Sequence, residues 1–370
     1  MNSVILTTGG TGGHIFPALA VAEEVRRRHP GCAILFMGGK YGPEADLAVQ
    51  AGLEYVGLPV KGFLGRGFRA FGAAFGMLRG LAKARIVMGR VKPDAVIGFG
   101  GYAAFAGVSA AHGKGIPTAL HEQNAIPGLA NRLLGKCVDL ILLSLPYEEG
   151  DEGRFAREKV IFTGNPVRAA VAALYDREPR RLEDVGKRLL VMGGSQGARA
   201  VNTAVMHDIP ALMDAGVSIW HQTGQADAAN VREAYRKAGA RDVRVDAFIT
   251  DMAEAYAWAD LALCRAGATT IAELTCAQLP AVFVPFPQAT HDHQTHNARQ
   301  LVTAGAAELL PQKAIAAEGG RPALLGETLL RLFDDPMGLI DMGAAMRRLA
   351  HPDAAARVVD ALEAILLKRS

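Results

Sequence analysis

Val4-Ile5-Leu6-Thr7-Thr8-Gly9-Gly10-Thr11-Gly12-Gly13-His14 reads as an apolar strand that runs into a glycine-rich turn and then a helix start. The same device returns where Leu189–Met192 is followed by Gly193-Gly194-Ser195-Gln196-Gly197-Ala198. Glycine lets the backbone approach an anion closely, and the first N–H groups of the following helix, aligned with its dipole, supply the positive end. A third such turn, Gly98-Phe99-Gly100-Gly101-Tyr102, follows the strand Ala95-Val96-Ile97. Glycine after a strand also serves any tight turn in a parallel sheet. Its repetition on two strand-turn-helix units points instead to phosphate cradles, and three cradles imply two phosphorylated ligands.

Outward from these turns, strands and helices alternate. Val4–Thr8, Ala33–Met37, Ala95–Gly98, Thr118–His121, Leu140–Leu143 and Val160–Thr163 read as one parallel sheet, with helices after Pro17, Gly42, Phe68, Ala103, Gly128 and Tyr147. Asn165-Pro166 breaks the pattern, which resumes at Leu189–Met192 and continues through Ile219–Gln222, Val243–Ala247, Leu261–Cys264 and Ala281–Pro285. At 370 residues, half of them hydrophobic and few aromatic, the chain can bury two cores. The expectation is an α/β protein of two Rossmann-like domains, 1–166 and 167–349, with a last helix in 350–370 packing back on the first. Ligands are expected in a central cleft, at the carboxyl ends of both sheets.

Composition excludes several classes. The four cysteines, Cys32, Cys137, Cys264 and Cys276, form no CxxC pair and no metal-ligand spacing, and read as reduced core residues. No basic, cleavable leader precedes Val4, so export is not expected. The uncharged stretch 95–111 contains the Gly100-Gly101 turn and falls short of the roughly 20 apolar residues a membrane span needs. Net charge is only +3, but between Tyr55 and Pro93 every charged residue is basic: Lys61, Arg66, Arg69, Arg79, Lys83, Arg85, Arg90 and Lys92. Phe68, Phe71, Phe75 and Leu78 recur there at spacings of three and four. Either this stripe packs into the protein's own core, or it forms a basic, apolar surface for anionic membrane lipids. Nucleic acid is not expected, because aromatics interleaved for base stacking are missing.

The chemistry-bearing residues cluster at strand ends. In Arg265-Ala266-Gly267-Ala268-Thr269-Thr270-Ile271-Ala272-Glu273, small residues open a helix toward an anion. Glu273, one turn further, could accept from both hydroxyls of a ribose. Thr270 with Glu273 would by itself read as a capping pair, but beside the Gly193 turn the ribose reading is preferred. At Phe248-Ile249-Thr250 a backbone segment could meet a nucleobase edge, or Thr250 could simply cap a helix. The histidines of His291-Asp292-His293-Gln294-Thr295-His296-Asn297 lack the further ligands of a metal set, while Gln294 and Asn297 suit sugar hydroxyls. His14 is the candidate proton acceptor, since neutral imidazole is a base near neutral pH, and His121-Glu122-Gln123-Asn124 adds polar groups at another strand end. Asp-x-Asp, a metal-nucleotide signature, is absent, so phosphate charge falls to helix N-termini and to Arg168. A sugar nucleotide with a second, phosphorylated acceptor fits this set.

Six blocks in order resemble the MurG family of UDP-N-acetylglucosamine transferases: 9–17, 98–102, 121–124, 164–168, 193–199 and 264–273. The resemblance implies a GT-B fold and an inverting, metal-independent transfer of N-acetylglucosamine, with no cofactor. The acceptor it implies is the muramyl 4-hydroxyl of an undecaprenyl-diphosphate-linked muramyl-pentapeptide, and the location is the cytoplasmic side of the cell inner membrane, peripherally bound. Carried over by motif, Thr11, Gly12, Gly13, Asn124, Arg168, Ser195, Ile249, Ala268, Thr269, Thr270, Ile271, Ala272, Glu273 and Gln294 contact the donor. His14 is the base, Gly13, His14, Gly100, Gly101 and Tyr102 take the acceptor diphosphate, and Phe68, Phe71, Phe75, Arg79, Lys83 and Arg85 meet the membrane. Ala266, Thr269 and His293 depart from the family pattern at the pocket rim.

Three other readings compete. A UDP-sugar 2-epimerase shares the fold and donor but has no use for the basic stretch. A non-catalytic sugar-nucleotide-binding membrane subunit keeps Glu273 and has no need of His14. A dinucleotide dehydrogenase fails because Ile15 stands at the last glycine of GxGxxG.

Overall fold

A computed structural model of the chain describes residues 1–10, 12–60, 70–146, 155–194, 197–289, 292–315 and 324–368, with the backbone alone described at 70, 71 and 73. The chain divides into two compact units, Met1–Ala169 with Asp353–Ser370, and Ala170–Pro352. The first holds a seven-stranded parallel sheet of β1 (Ser3–Thr7), β2 (Ala33–Gly39), β3 (Glu54–Leu58), β4 (Ala95–Gly98), β5 (Thr118–Glu122), β6 (Leu140–Leu143) and β7 (Val160–Phe162). The second holds six parallel strands, β8 (Arg188–Met192), β9 (Ser218–Gln222), β10 (Val243–Asp246), β11 (Leu261–Cys264), β12 (Ala281–Phe283) and β13 (Ala307–Leu309). Their orders are β3-β2-β1-β4-β5-β6-β7 and β10-β9-β8-β11-β12-β13. The α/β class and the doubled Rossmann-like plan are as the sequence led us to expect.

Each sheet is covered on both faces, which is why its central strands are apolar without interruption. In β1, Val4 and Leu6 face a layer formed by Ile15, Ala18, Val21 and Val25 of the Gly12–Arg28 helix and by Val358, Val359 and Leu362 of the C-terminal Ala354–Leu367 helix. Ile5 faces the opposite layer, with Ala84, Met88, Ala103 and Ala106. That alternation is the two-residue period of a strand. The C-terminal helix is further tied to the first by Arg28, which pairs with Asp360, and by His29, whose Nε2 lies 2.7 Å from Glu363. In the second unit Leu189 and Val191 of β8 pack against Val201, Val205, Ile209 and Leu212 of the Arg199–Asp214 helix.

Two strands escaped the sequence reading, β3 and β13. Both lie at sheet edges, where the apolar run is interrupted by Glu54 and Gly57 in β3 and by Glu308 in the three-residue β13. The first helix also begins earlier than Pro17 indicates, at Gly12. Proline there removes only the bond its own N–H would have given to Gly13, and the helix accommodates it. His14 therefore lies in the first helical turn.

Candidate active site

In each sheet the strand order reverses at one point, between β1 and β4 and between β8 and β11. Connections leave the sheet in opposite directions there and open a crevice at the carboxyl ends of the strands. All the glycine turns singled out above lie at these two points.

In the first unit Thr7 stands opposite Gly98, so the turns that follow β1 and β4 emerge side by side. The Gly9 N–H donates to the Gly100 carbonyl at 3.0 Å. This contact is so close that a Cβ at Gly101, whose φ is +81°, would lie 2.1 Å from the Gly9 oxygen. Only glycine fits. The Gly12–Arg28 and Gly101–His112 helices thus begin next to one another, and their first N–H groups have no acceptor within their own helices. The His14 ring sits between these turns, and a Cβ at Gly100 would come within 3.1 Å of it. His14 Nδ1 lies 2.8 Å from Gln123 Oε1.

Asn124 is fixed by Glu122, a buried carboxylate whose Oε1 accepts from the Asn124 backbone and side-chain amides. Glu122 Oε2 accepts from Gly128 N and Asn131 Nδ2, so this carboxylate is committed to holding its own loop. Arg168 belongs to the first unit, where its guanidinium lies 5.0 Å from the centre of the Phe16 ring. One residue the sequence reading passed over also serves this site. Glu44, 2 % exposed, accepts from the Gly10 N–H at 3.0 Å and tethers the first turn. A glutamate just after Gly42-Pro43 carries no motif, and the signal is only visible once β1 and β2 are paired.

In the second unit Met192 stands opposite Cys264, which sets the Gly193-Gly194 turn beside Arg265-Ala266-Gly267. A Cβ at Gly193 would lie 2.1 Å from the Ala198 nitrogen, so this turn too is closed to side chains. Gln222, at the end of β9, links two predicted elements: its Nε2 donates to the Gly194 carbonyl at 3.2 Å and its Oε1 accepts from Ile249 N at 2.9 Å. Ile249 is buried while the neighbouring Phe248 ring is half exposed. The Ala268–Cys276 helix carries Ala268, Thr269, Thr270, Ile271, Ala272 and Glu273 through its first two turns. Gln294, in the first turn of the His293–Thr303 helix, accepts from Phe286 N at 2.9 Å through its Oε1.

Two plain readings are corrected. Gly267, not Thr270, is the N-cap of the Ala268–Cys276 helix, so Thr270 and Glu273 are not a capping pair. Glu273 is 6 % exposed, and its Oε2 accepts from the Tyr256 hydroxyl at 2.8 Å. The cap of the Met252–Trp258 helix is Asp251, whose carboxylate accepts from Glu254 N, rather than Thr250. Arg265, which follows β11, is committed to protein acceptors. It donates to the Val284 and Pro285 carbonyls and to Gln312 Oε1, and burial lowers its pKa from the usual guanidinium value. Among the described residues no group of three metal-ligating side chains gathers. Thr11, Ser195, His291 and Phe68 lie outside the described residues, as does the side chain of Phe71.

Within the basic stretch residues 70–91 form the Ala70–Val91 helix, while Lys61, Arg66 and Arg69 lie outside the described residues. Ala84 and Met88 form its buried face, whereas Phe75, Leu78 and Ile86 are each at least 60 % exposed. Core packing therefore does not account for Phe75 and Leu78. Arg79 and Arg85 are exposed, with the Arg79 guanidinium 5.8 Å from the centre of the Phe75 ring. Lys83 is partly committed, donating to the Gly57 carbonyl at 2.8 Å. No helix among the described residues is long and apolar enough to cross a membrane.

Two Rossmann-like parallel-sheet units, each with glycine turns at its switch point, are the plan of the GT-B fold. Residues 4–143 match the glycosyltransferase family 28 N-terminal domain, and 188–358 the family 28 C-terminal domain. Over 366 residues the chain is 58 % identical to the UDP-N-acetylglucosamine–N-acetylmuramyl-(pentapeptide) pyrophosphoryl-undecaprenol N-acetylglucosamine transferase of Nitratidesulfovibrio vulgaris strain Hildenborough, covering 99 % of this chain and 98 % of that one. It is 43 % identical over 369 residues to the enzyme of the same name from Lawsonia intracellularis, covering 99 % of each. The crystal structure of Acinetobacter baumannii MurG superposes with a TM-score of 0.74 at 32 % identity, over 98 % of this chain and 99 % of that one. A UDP-N-acetylglucosamine 2-epimerase shares the fold at a TM-score of 0.64 but only 16 % identity, over 97 % and 95 % of the two chains. The chain belongs to glycosyltransferase family 28, and within it to the MurG family.

Proposed function

We propose that the chain transfers N-acetylglucosamine from UDP-N-acetylglucosamine to the muramyl 4-hydroxyl of undecaprenyl-diphosphate-linked muramyl-pentapeptide, a step of peptidoglycan synthesis. The named relatives, similar over nearly their whole length, support the reaction. The observation that carries it to residues is the His14 ring set between two glycine turns, a base beside an anion cradle.

In this reading the second unit takes the donor. Glu273 accepts from the ribose hydroxyls, the Ile249 backbone meets the uracil edge, and Gln294 bonds the sugar. The diphosphate lies at Ser195 and at the N-terminal residues Ala268, Thr269 and Thr270, with Ile271 and Ala272 behind them. Thr11, Gly12, Gly13, Asn124 and Arg168 supply further donor contacts. The acceptor diphosphate lies on Gly13, His14, Gly100, Gly101 and Tyr102. The 4-hydroxyl oxygen attacks C1 from the face opposite UDP, its proton passes to His14, and the C1–O bond breaks with its electron pair leaving on UDP. Configuration at C1 inverts. Helix N-termini and Arg168 stabilise the leaving charge, with no divalent ion required.

The acceptor's lipid tail stays in the bilayer, so the enzyme works as a peripheral protein on the cytoplasmic face. The exposed Phe75, Leu78, Ile86, Arg79 and Arg85 of one helix fit anionic lipids rather than nucleic acid. A donor labelled in its sugar tests the reading. Label entering the lipid-extractable fraction supports transfer, whereas a labelled 2-epimer free in solution would replace it with epimerisation.

A further inference from the structure

Two backbone carbonyl oxygens, which can only accept, fix where the protons lie along a row of three side chains. His121 is fully buried at the end of β5, and its Nε2 lies 3.1 Å from the Gly164 carbonyl. That nitrogen must carry a hydrogen. The other, Nδ1, lies 3.0 Å from Gln123 Nε2, and a second proton on the ring would oppose that amide's own hydrogens. His121 is therefore neutral and Nδ1 accepts. Burial points the same way, pushing the His121 pKa down to about 4.

Gln123 is held from its nitrogen end. Besides His121 Nδ1, its Nε2 lies 3.2 Å from the His121 carbonyl, so each amide hydrogen has an acceptor. Turning the amide over would aim its oxygen at both a carbonyl oxygen and a lone pair. The Gln123 oxygen is thus the atom presented to His14 Nδ1, 2.8 Å away, and it can only accept.

From this row we propose that His121 and Gln123 are positioning residues that hold His14 as the Nδ1–H tautomer and leave the lone pair on Nε2. The hydrogen bond at one ring nitrogen decides which nitrogen is the base. The proposal rests on the reading of His14 as proton acceptor and adds what makes it competent. A neutral amide does the orienting here where a carboxylate does it in a Ser-His-Asp triad, so the ring is aimed without an ion pair. Loss of the correct tautomer in a catalytic histidine has cost turnover about 10⁴-fold where a carboxylate partner was neutralised.

Selective nitrogen-15 labelling of histidine in the full chain tests this directly, with the His14 signals assigned by their loss in His14→Ala. At mildly alkaline pH the expected pattern is a protonated Nδ1 and an unprotonated Nε2 in the wild type. A proton on Nε2 would overturn the proposal, and the one variant this measurement uses, His14→Ala, serves only for the assignment. Gln123→Leu removes the acceptor, so the proton is expected to move to Nε2, with kcat falling about tenfold or more and UDP affinity unchanged. A variant that keeps the wild-type tautomer, or keeps kcat, also overturns it. The underlying reading fails differently: normal turnover in His14→Ala would remove the base while leaving the tautomer result standing.

Discussion

Glu273→Gln isolates one charge without disturbing the fold. The carboxylate is 6 % exposed and its Oε2 is occupied by the Tyr256 hydroxyl at 2.8 Å. In the variant the amide oxygen can keep that bond, so the urea midpoint should not change. On the proposed donor placement, what is lost is the negative charge toward the ribose. A hydrogen bond to a charged acceptor contributes about 1.5–3 kcal/mol and a neutral one about 0.5–1.5 kcal/mol. With two charged bonds to ribose hydroxyls lost and one neutral bond recovered, the net cost is about 1.5–5.5 kcal/mol, or roughly 10- to 10⁴-fold in Kd for UDP. Calorimetric titration measures it, and 2′-deoxy-UDP closes a double-mutant cycle. The deoxy ligand should lose affinity for the wild type and much less for Glu273→Gln. An unchanged Kd, or equal losses on both proteins, would refute the assignment of the ribose to this carboxylate.

His14→Ala is expected to lower turnover about 10²–10⁴-fold with UDP affinity intact, and a mutant with normal turnover would contradict the base assignment. Chelation with EDTA should leave the wild type active in a continuous assay; a collapse of rate would put a divalent ion in the reaction. Replacing Arg79, Lys83 and Arg85 with glutamate should abolish flotation with phosphatidylglycerol vesicles, since each basic residue near such a surface adds about 1 kcal/mol, while UDP still binds. Arg79 and Arg85 should account for most of the effect, because Lys83 is tied to Gly57. Stability should fall in acid. Burial pushes His121 down to about 4 and His221 to about 3, so between those values and 6.5 the unfolded chain binds protons the folded one refuses. Each histidine should then cost about 2 kcal/mol by about pH 5, fully regained above its unfolded value. Equal urea stability at about pH 5 and pH 8 would show that the two rings are not held neutral.

The central strands were legible because both their faces are buried, which leaves an apolar run ending in glycine. Edge strands such as β3 are only partly buried and carry Glu54 and Gly57, so they show no such signature. The glycine turns were legible for a steric reason, the 2.1 Å approach of a Cβ at Gly101 or Gly193 to neighbouring backbone. Their partners were not. Tyr256 meets Glu273 from another helix, Glu44 reaches Gly10 from beyond β2, and Gln222 bridges Gly194 and Ile249. Each contact depends on sheet order and rotamer rather than on spacing along the chain. The aromatic stripe shows the same limit: its spacing gave a helix, but which of its residues face outward depended on Ala84 and Met88 filling the other side.

The most direct test of the account is UDP release from UDP-N-acetylglucosamine by the purified chain, with and without a lipid-linked muramyl-diphosphate pentapeptide acceptor. The account predicts release that depends on the acceptor, stoichiometric with N-acetylglucosamine joined to it at the muramyl 4-hydroxyl. Release at the same rate without acceptor, or a donor returned as its 2-epimer, would contradict it.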